Sequence, residues 1–115
     1  MKKIIIGLSV TATLFMTNIH ANDKGKGIFE SKGCVICHKK AMDTIGPSLA
    51  TISAGYAGRE ATIIDYLKGD AEPIVDPSRK AVMNPQLAKL ETLFDDEIKA
   101  LAEYIISAND IAAKR

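Results

Sequence analysis

The stretch "GCVICHKK", Gly33 to Lys40, holds both cysteines of a 115-residue chain and one of its two histidines. Two thiols and an imidazole within five consecutive positions suit four chemistries: a disulfide, a redox dithiol, a metal site or a covalent haem. On a helical turn, positions i, i+3 and i+4 share one face. Cys34, Cys37 and His38 stand in that relation, so all three can meet one flat object. The remainder of the chain has to choose among the four.

The chain opens "MKKIIIGLSVTATLFMTNIHA". Lys2 and Lys3 precede an apolar run, Ile4 to Met16, and Ile19-His20-Ala21 is an acceptable cleavage site. Residues 1–21 read as a Sec-type export signal, cleaved from the mature protein. The apolar run is short for a bilayer span, so no stable membrane insertion is expected after cleavage. Residues 22–115 then form a single small domain, too small to rely on its own core and in need of a staple, metal or cofactor. Export implies a periplasmic location where disulfides persist. Cleavage also leaves His38 as the sole histidine, with Met42 and Met83 as the only methionines.

Charge is uneven. Residues 22–42 carry five lysines against Asp23 and Glu30, a net of +3, whereas residues 43–115 carry eight basic and twelve acidic residues, a net of −4. The basic end contains the Cys-Cys-His segment. Its charge is far too small for nucleic acid but suffices to orient a protein partner; a solvated helix face is the plainer reading.

No stretch alternates apolar and polar residues over a strand's length, and helical signals recur. One helix is expected from about Lys24 into the Cys-Cys-His segment, weakened at its start by Gly25 and Gly27, whose small size would also let another helix approach. Leu49–Ala54 is a possible short helix. Arg59–Lys68 is another, with Ile63, Ile64 and Leu67 as its stripe and Gly69 as its C-terminal stop. The last begins at Asp95-Asp96-Glu97, where acidic charge meets the positive end of the helix dipole, and continues as an apolar stripe of Ile98, Leu101, Ala102, Ile105 and Ile106. The segments "AMDTIGPSL" and "AEPIVDPSRKAVMNPQ" hold all four prolines and read as loops.

C-x-x-C-H is the attachment pattern of c-type haem, the thiols bonding the two vinyl groups and the histidine reaching the iron. Zinc wants four ligands, and residues 22–115 hold only three Cys and His. A thioredoxin-like dithiol expects a βαβ context, absent here. A disulfide across two residues closes a tiny loop and stabilises little. Haem attachment alone uses His38 as well as both thiols. For the iron's second axial position, Met42 is too near His38 to reach the far face. Met83, on the second proline-rich segment, is the expected ligand, and a thioether there raises the reduction potential.

Taken together, Phe29 five residues before Cys34, the CVICH run, Gly46-Pro47-Ser48-Leu49, Met83-Asn84-Pro85-Gln86 and the closing "DDEIKALAEYIIS" resemble the small bacterial monohaem class I cytochromes c. The resemblance covers nearly all of residues 22–115. It implies an all-α small cytochrome c fold, three to five helices wrapped around one covalently bound haem c, with N- and C-terminal helices crossing. It implies that the Pro47 carbonyl accepts the free ring N–H of His38, and that Phe29 and Tyr104 form the aromatic pair at the crossing, Tyr104 standing where Trp is common. Such proteins also place a fixed donor, often Trp, against a haem propionate. This chain has no Trp, and Arg79 is the named substitute, ahead of Lys80 and Tyr56.

The expected role is a soluble periplasmic electron carrier, cycling Fe(III)/Fe(II) with His38 and Met83 as axial ligands. Its partners would be redox proteins, docked transiently near Lys32, Lys39 and Lys40, and the chain is expected to be a monomer. No nucleophile paired with a base suggests an enzyme. The alternatives are a haem-based ligand binder or sensor with an open sixth site, and a thiol–disulfide protein without haem.

Overall fold

A computed structural model describes the backbone of residues 19–113 and the side chains of residues 23–108. Residues 1–18, which carry most of the expected export signal, lie outside the described residues. The described chain is helical, with no strand: α1 (Ile19–Ser31), α2 (Cys34–Cys37), α3 (Leu49–Gly55), α4 (Glu60–Leu67), a 3-10 turn (Pro77–Arg79), α5 (Lys80–Ala88) and α6 (Asp95–Ala113).

The crossing of α1 with α6 organises the core. Phe29 meets Tyr104 at the crossing, ring centroids 5.5 Å apart and tilted by 59°, an edge-to-face style of contact that adds to simple burial. Gly25 lets the two backbones touch: a Cβ there would collide with the Ala100 carbonyl and lie 2.6 Å from Tyr104 Cβ. Gly27, by contrast, faces open space. The stripe of α6 is buried as its period predicts, Leu101 and Ala102 completely. Its start is fixed by Glu97, whose side chain accepts the Phe94 N–H at 3.1 Å, half of a capping box. Helices α3 and α4 also pack on α6. Ser48 caps α3 by accepting the Thr51 N–H at 3.1 Å. Helix α4 closes through Gly69, with the Asp70 N–H reaching back to the Asp65 carbonyl at 2.8 Å, the 6→1 bond of a Schellman end.

Two expectations about local structure need correction. The first helix does not run into the Cys-Cys-His segment. It stops at Ser31, and Gly33 adopts φ 77°, ψ 10° before α2 begins. A left-handed residue cannot continue a right-handed helix, and glycine takes that conformation without a Cβ penalty. Nor is the segment 71–86 simply a loop. Pro77 occupies the first position of the 3-10 turn, where its missing N–H costs nothing. Lys80–Ala88 is helical with Pro85 inside it. Pro85 forfeits one ladder bond and crowds the Ala81 carbonyl, yet the segment stays helical.

Candidate haem site

The turn α2 gives the site its near wall. The His38 N–H bonds the Cys34 carbonyl at 3.0 Å, closing one helical turn and setting Cys34, Cys37 and His38 on one face. All three are partly buried. Burial pushes the Cys34 thiol up from its ordinary value. Neither cysteine is in a disulfide.

His38 is held from behind. Its Nδ1–H donates to the Pro47 carbonyl at 2.7 Å, which fixes the ring's tautomer and leaves Nε2 with its lone pair free to coordinate. The loop supplying that carbonyl is itself tied down: Gly46 N–H to Cys37 carbonyl at 3.0 Å and Thr44 N–H to Gly46 carbonyl at 3.0 Å. Asp43 braces its far end by accepting the Ser48 N–H at 2.7 Å and the Thr51 hydroxyl at 3.0 Å. These bonds hold the Asp43 carboxyl below the usual carboxylate range. Gly46 has no room for a side chain, because a Cβ would lie 2.8 Å from His38 Cε1 and 3.0 Å from Nδ1. The Gly-Pro pair therefore does two jobs, one by lacking a side chain and one by offering a carbonyl.

Cys34, Cys37, His38, Gly46 and Pro47 border an open cleft. Phe29, Ile63, Leu101 and Ile105 give it an apolar floor, and Met83, Val82 and Gln86 bring α5 to its edge. Met83 is partly buried there. Met42 is 71% exposed and does not border the cleft. Two thiols on one turn, an oriented imidazole, a thioether and an apolar floor fit a haem joined through Cys34 and Cys37.

Arg79 also borders the cleft. Its Nη1 donates to the Ile45 carbonyl, and its Nε lies 3.5 Å from Asp76 Oδ2. Of the other propionate candidates, Lys80 Nζ is 2.6 Å from both carboxylate oxygens of Glu72, and the Tyr56 hydroxyl takes a long 3.5 Å contact from the Ile74 N–H. Sequence reasoning missed Tyr66, which borders the same cleft. Burial, with smaller help from Tyr56 and Glu72, pushes its hydroxyl up to about 12, so it stays a neutral donor at any physiological pH. Its place three residues after Ile63, on the stripe of α4, was the available signal. Among the lysines, Lys32 is partly buried at the cleft, Lys40 is exposed, and Lys39 Nζ donates to the Val35 carbonyl at 3.0 Å.

Among the described residues no group of three or more His, Cys, Asp and Glu side chains is placed to hold a metal ion, and no helix is long and apolar enough to cross a membrane. Comparison with known proteins identifies the family. The sequence profile of the Cytochrome c family matches residues 22–109. The chain is 32% identical over 111 residues to cytochrome c-551 of Stutzerimonas stutzeri, covering 93% of this chain and 98% of that one. It is 31% identical over 78 residues to cytochrome c-552 of Hydrogenobacter thermophilus, covering 68% and 74%, and 27% identical over 85 residues to cytochrome c-551 of Azotobacter vinelandii, covering 74% and 98%. Motif, fold, cleft and kinship converge: the chain belongs to the cytochrome c family, as a class I monohaem c-type cytochrome with covalently bound haem c.

Proposed function

We propose that this c-type cytochrome is a periplasmic carrier passing single electrons between redox proteins, with His38 and Met83 as the axial ligands of its iron. The observation that carries the reading is the His38–Pro47 hydrogen bond at 2.7 Å, within a cleft that Met83 also borders. Haem c supplies the one-electron Fe(III)/Fe(II) couple. Cys34 and Cys37 hold it by thioether bonds. Pro47 keeps the His38 ring oriented and its Nε2 basic. Met83 contributes a soft thioether, and the apolar floor limits water; both favour the reduced state. Arg79, with donors left over from Ile45 and Asp76, is the residue proposed to meet a propionate, and the neutral Tyr66 hydroxyl offers a further donor.

Exposed Val35 and Ile36 lie between Lys32 and the Lys39-Lys40 pair along the chain. An apolar patch rimmed by positive charge suits brief docking of an acidic redox protein. Residues 1–21 act as a cleaved export signal and residues 22–115 as the working domain, a monomer.

Visible absorption of the oxidised protein tests the ligation. A weak band at the red end from iron–thioether bonding, abolished in Met83→Ala, is the expected result. Rapid carbon monoxide binding by the untouched reduced protein would overturn it in favour of an open sixth site and a ligand-sensing role. His38→Ala is expected to yield no stable holoprotein; a native-like helical product from that variant would contradict the haem's part in the core.

A further inference from the structure

The helix that carries Met83 is lightly anchored. Helix α5 has no fully buried residue; it packs on the 3-10 turn before it and touches the core through the partly buried Leu87. What ties it to the wall formed by His38? Arg79 sits at the junction of the 3-10 turn and α5, four residues before Met83. Its guanidinium donates across 34 residues of sequence to the Ile45 carbonyl. Ile45 precedes Gly46, whose missing side chain admits the His38 ring, and lies two residues from Pro47, whose carbonyl holds it.

The guanidinium is aimed from one side by Asp76. That residue is the only non-glycine with positive φ among the described residues, at φ 52°, a conformation that aspartate, with asparagine and histidine, adopts more readily than other non-glycine residues. Its carboxylate takes the Ser78 hydroxyl at 2.8 Å on Oδ1 and the Arg79 Nε on Oδ2, while its carbonyl accepts the Arg79 N–H at 3.1 Å. One hydrogen bond and one ion pair therefore tie Arg79 to Asp76, the Ser78 hydroxyl steadies that carboxylate, and a further hydrogen bond from Arg79 reaches the opposite loop.

We propose that Arg79 is a positioning residue, a clasp joining the Met83-bearing segment to the loop that orients His38, and that it sets how readily an outside ligand displaces Met83. The inference rests on Met83 being an axial ligand. The planar guanidinium suits this task because it can serve a carboxylate and a carbonyl together, which a lysine ammonium does less well.

The test is imidazole titration of the oxidised holoprotein, followed by absorption, alongside a denaturant midpoint for each variant. Wild type should bind imidazole far more weakly than Met83→Ala. Arg79→Ala should bind it about tenfold more tightly than wild type, the loss expected for one partly exposed charge-assisted bond. Arg79→Lys should fall between, as should Asp76→Asn. Equal imidazole affinity in wild type and Arg79→Ala overturns the clasp, and so does a change confined to the denaturant midpoint. A changed reduction potential with unchanged imidazole affinity also overturns it, leaving Arg79 the propionate contact alone. If wild type binds imidazole as tightly as Met83→Ala, the axial reading itself fails and the clasp falls with it.

Discussion

The crossing of α1 and α6 and the segment 75–88 border the same cleft but are built in different ways. The crossing is apolar and tight, with Phe29 on Tyr104, Gly25 against Ala100, and Leu101 fully buried. The segment 75–88 reaches the core only through the partly buried Val75 and Leu87, has no fully buried residue, and adds exposed polar links, Arg79 to Ile45 and Lys80 to Glu72. Packed interiors are stiff and punish small changes in volume, whereas exposed polar links are individually weak and replaceable. The difference separates a frame that fixes the fold from a wall whose position can be tuned.

The comparison can be broken most directly at its stiff end. Leu101→Ala should cost about 3–4 kcal/mol in denaturant unfolding of the holoprotein, the usual toll for emptying a fully buried leucine site. Asn84→Ala, on the exposed side of α5 and outside the cleft, should stay within about 0.5 kcal/mol. Equal effects at the two sites would erase the distinction. Slightly smaller is Gly25→Ala, expected to cost about 2–3 kcal/mol through forced separation of α1 from α6. Its control, Gly27→Ala, meets open space and should be neutral or stabilise by up to about 1 kcal/mol. A neutral Gly25→Ala would mean the helices are not held in contact there.

The near wall is open to sharper tests. Gly46→Ala should displace the His38 ring and weaken its bond to Pro47, reducing the basicity of Nε2. The reduction potential should rise, and the Nδ1 proton resonance should move or broaden. An unshifted resonance would show that the loop yields without disturbing the ring. Acid titration probes the same loop. Asp43 is ionised in the native state well into the acid range, because the Ser48 N–H and Thr51 hydroxyl favour its charged form. Its contribution to stability is therefore complete above the unfolded carboxylate value near 4 and drains away as pH falls through the lower folded value. Wild type and Asp43→Asn should differ in thermal midpoint at pH 7 and converge below about pH 4; parallel curves would remove Asp43 from the loop's support. The smallest effect is reserved for Lys80→Ala, which breaks an exposed pair with Glu72 and should change stability by less than about 1 kcal/mol, less still in high salt.

How much of this was legible beforehand depends on how local each cause is. The stripe of α6 shows in the sequence because burial repeats every turn, and Cys34, Cys37 and His38 because their spacing is that of one turn. The helix α5 stayed hidden behind Pro77 and Pro85, which signal breaks even where they sit in tolerated positions. The stop at Gly33 was masked by good helical spacing on either side of it. The link from Arg79 to Ile45 has no local pattern at all, since nothing near Arg79 in the chain announces a carbonyl 34 residues away. Pro47 was read from family resemblance rather than spacing; the need for glycine at 46 emerges only once the imidazole is seen pressed against it.

That pressed glycine also bears on the order in which the site can assemble. The wall's own bonds, from the turn at Gly33 to the brace between Asp43 and Thr51, close within fewer than twenty residues of chain, leaving aside the clasp from Arg79. Short closures lose little chain entropy and form quickly. The segment bearing Met83 must instead be recruited from about forty residues beyond that wall. The two thiols and the imidazole can thus stand ready while the other side of the cleft is still open, leaving a broad way in for a large planar guest.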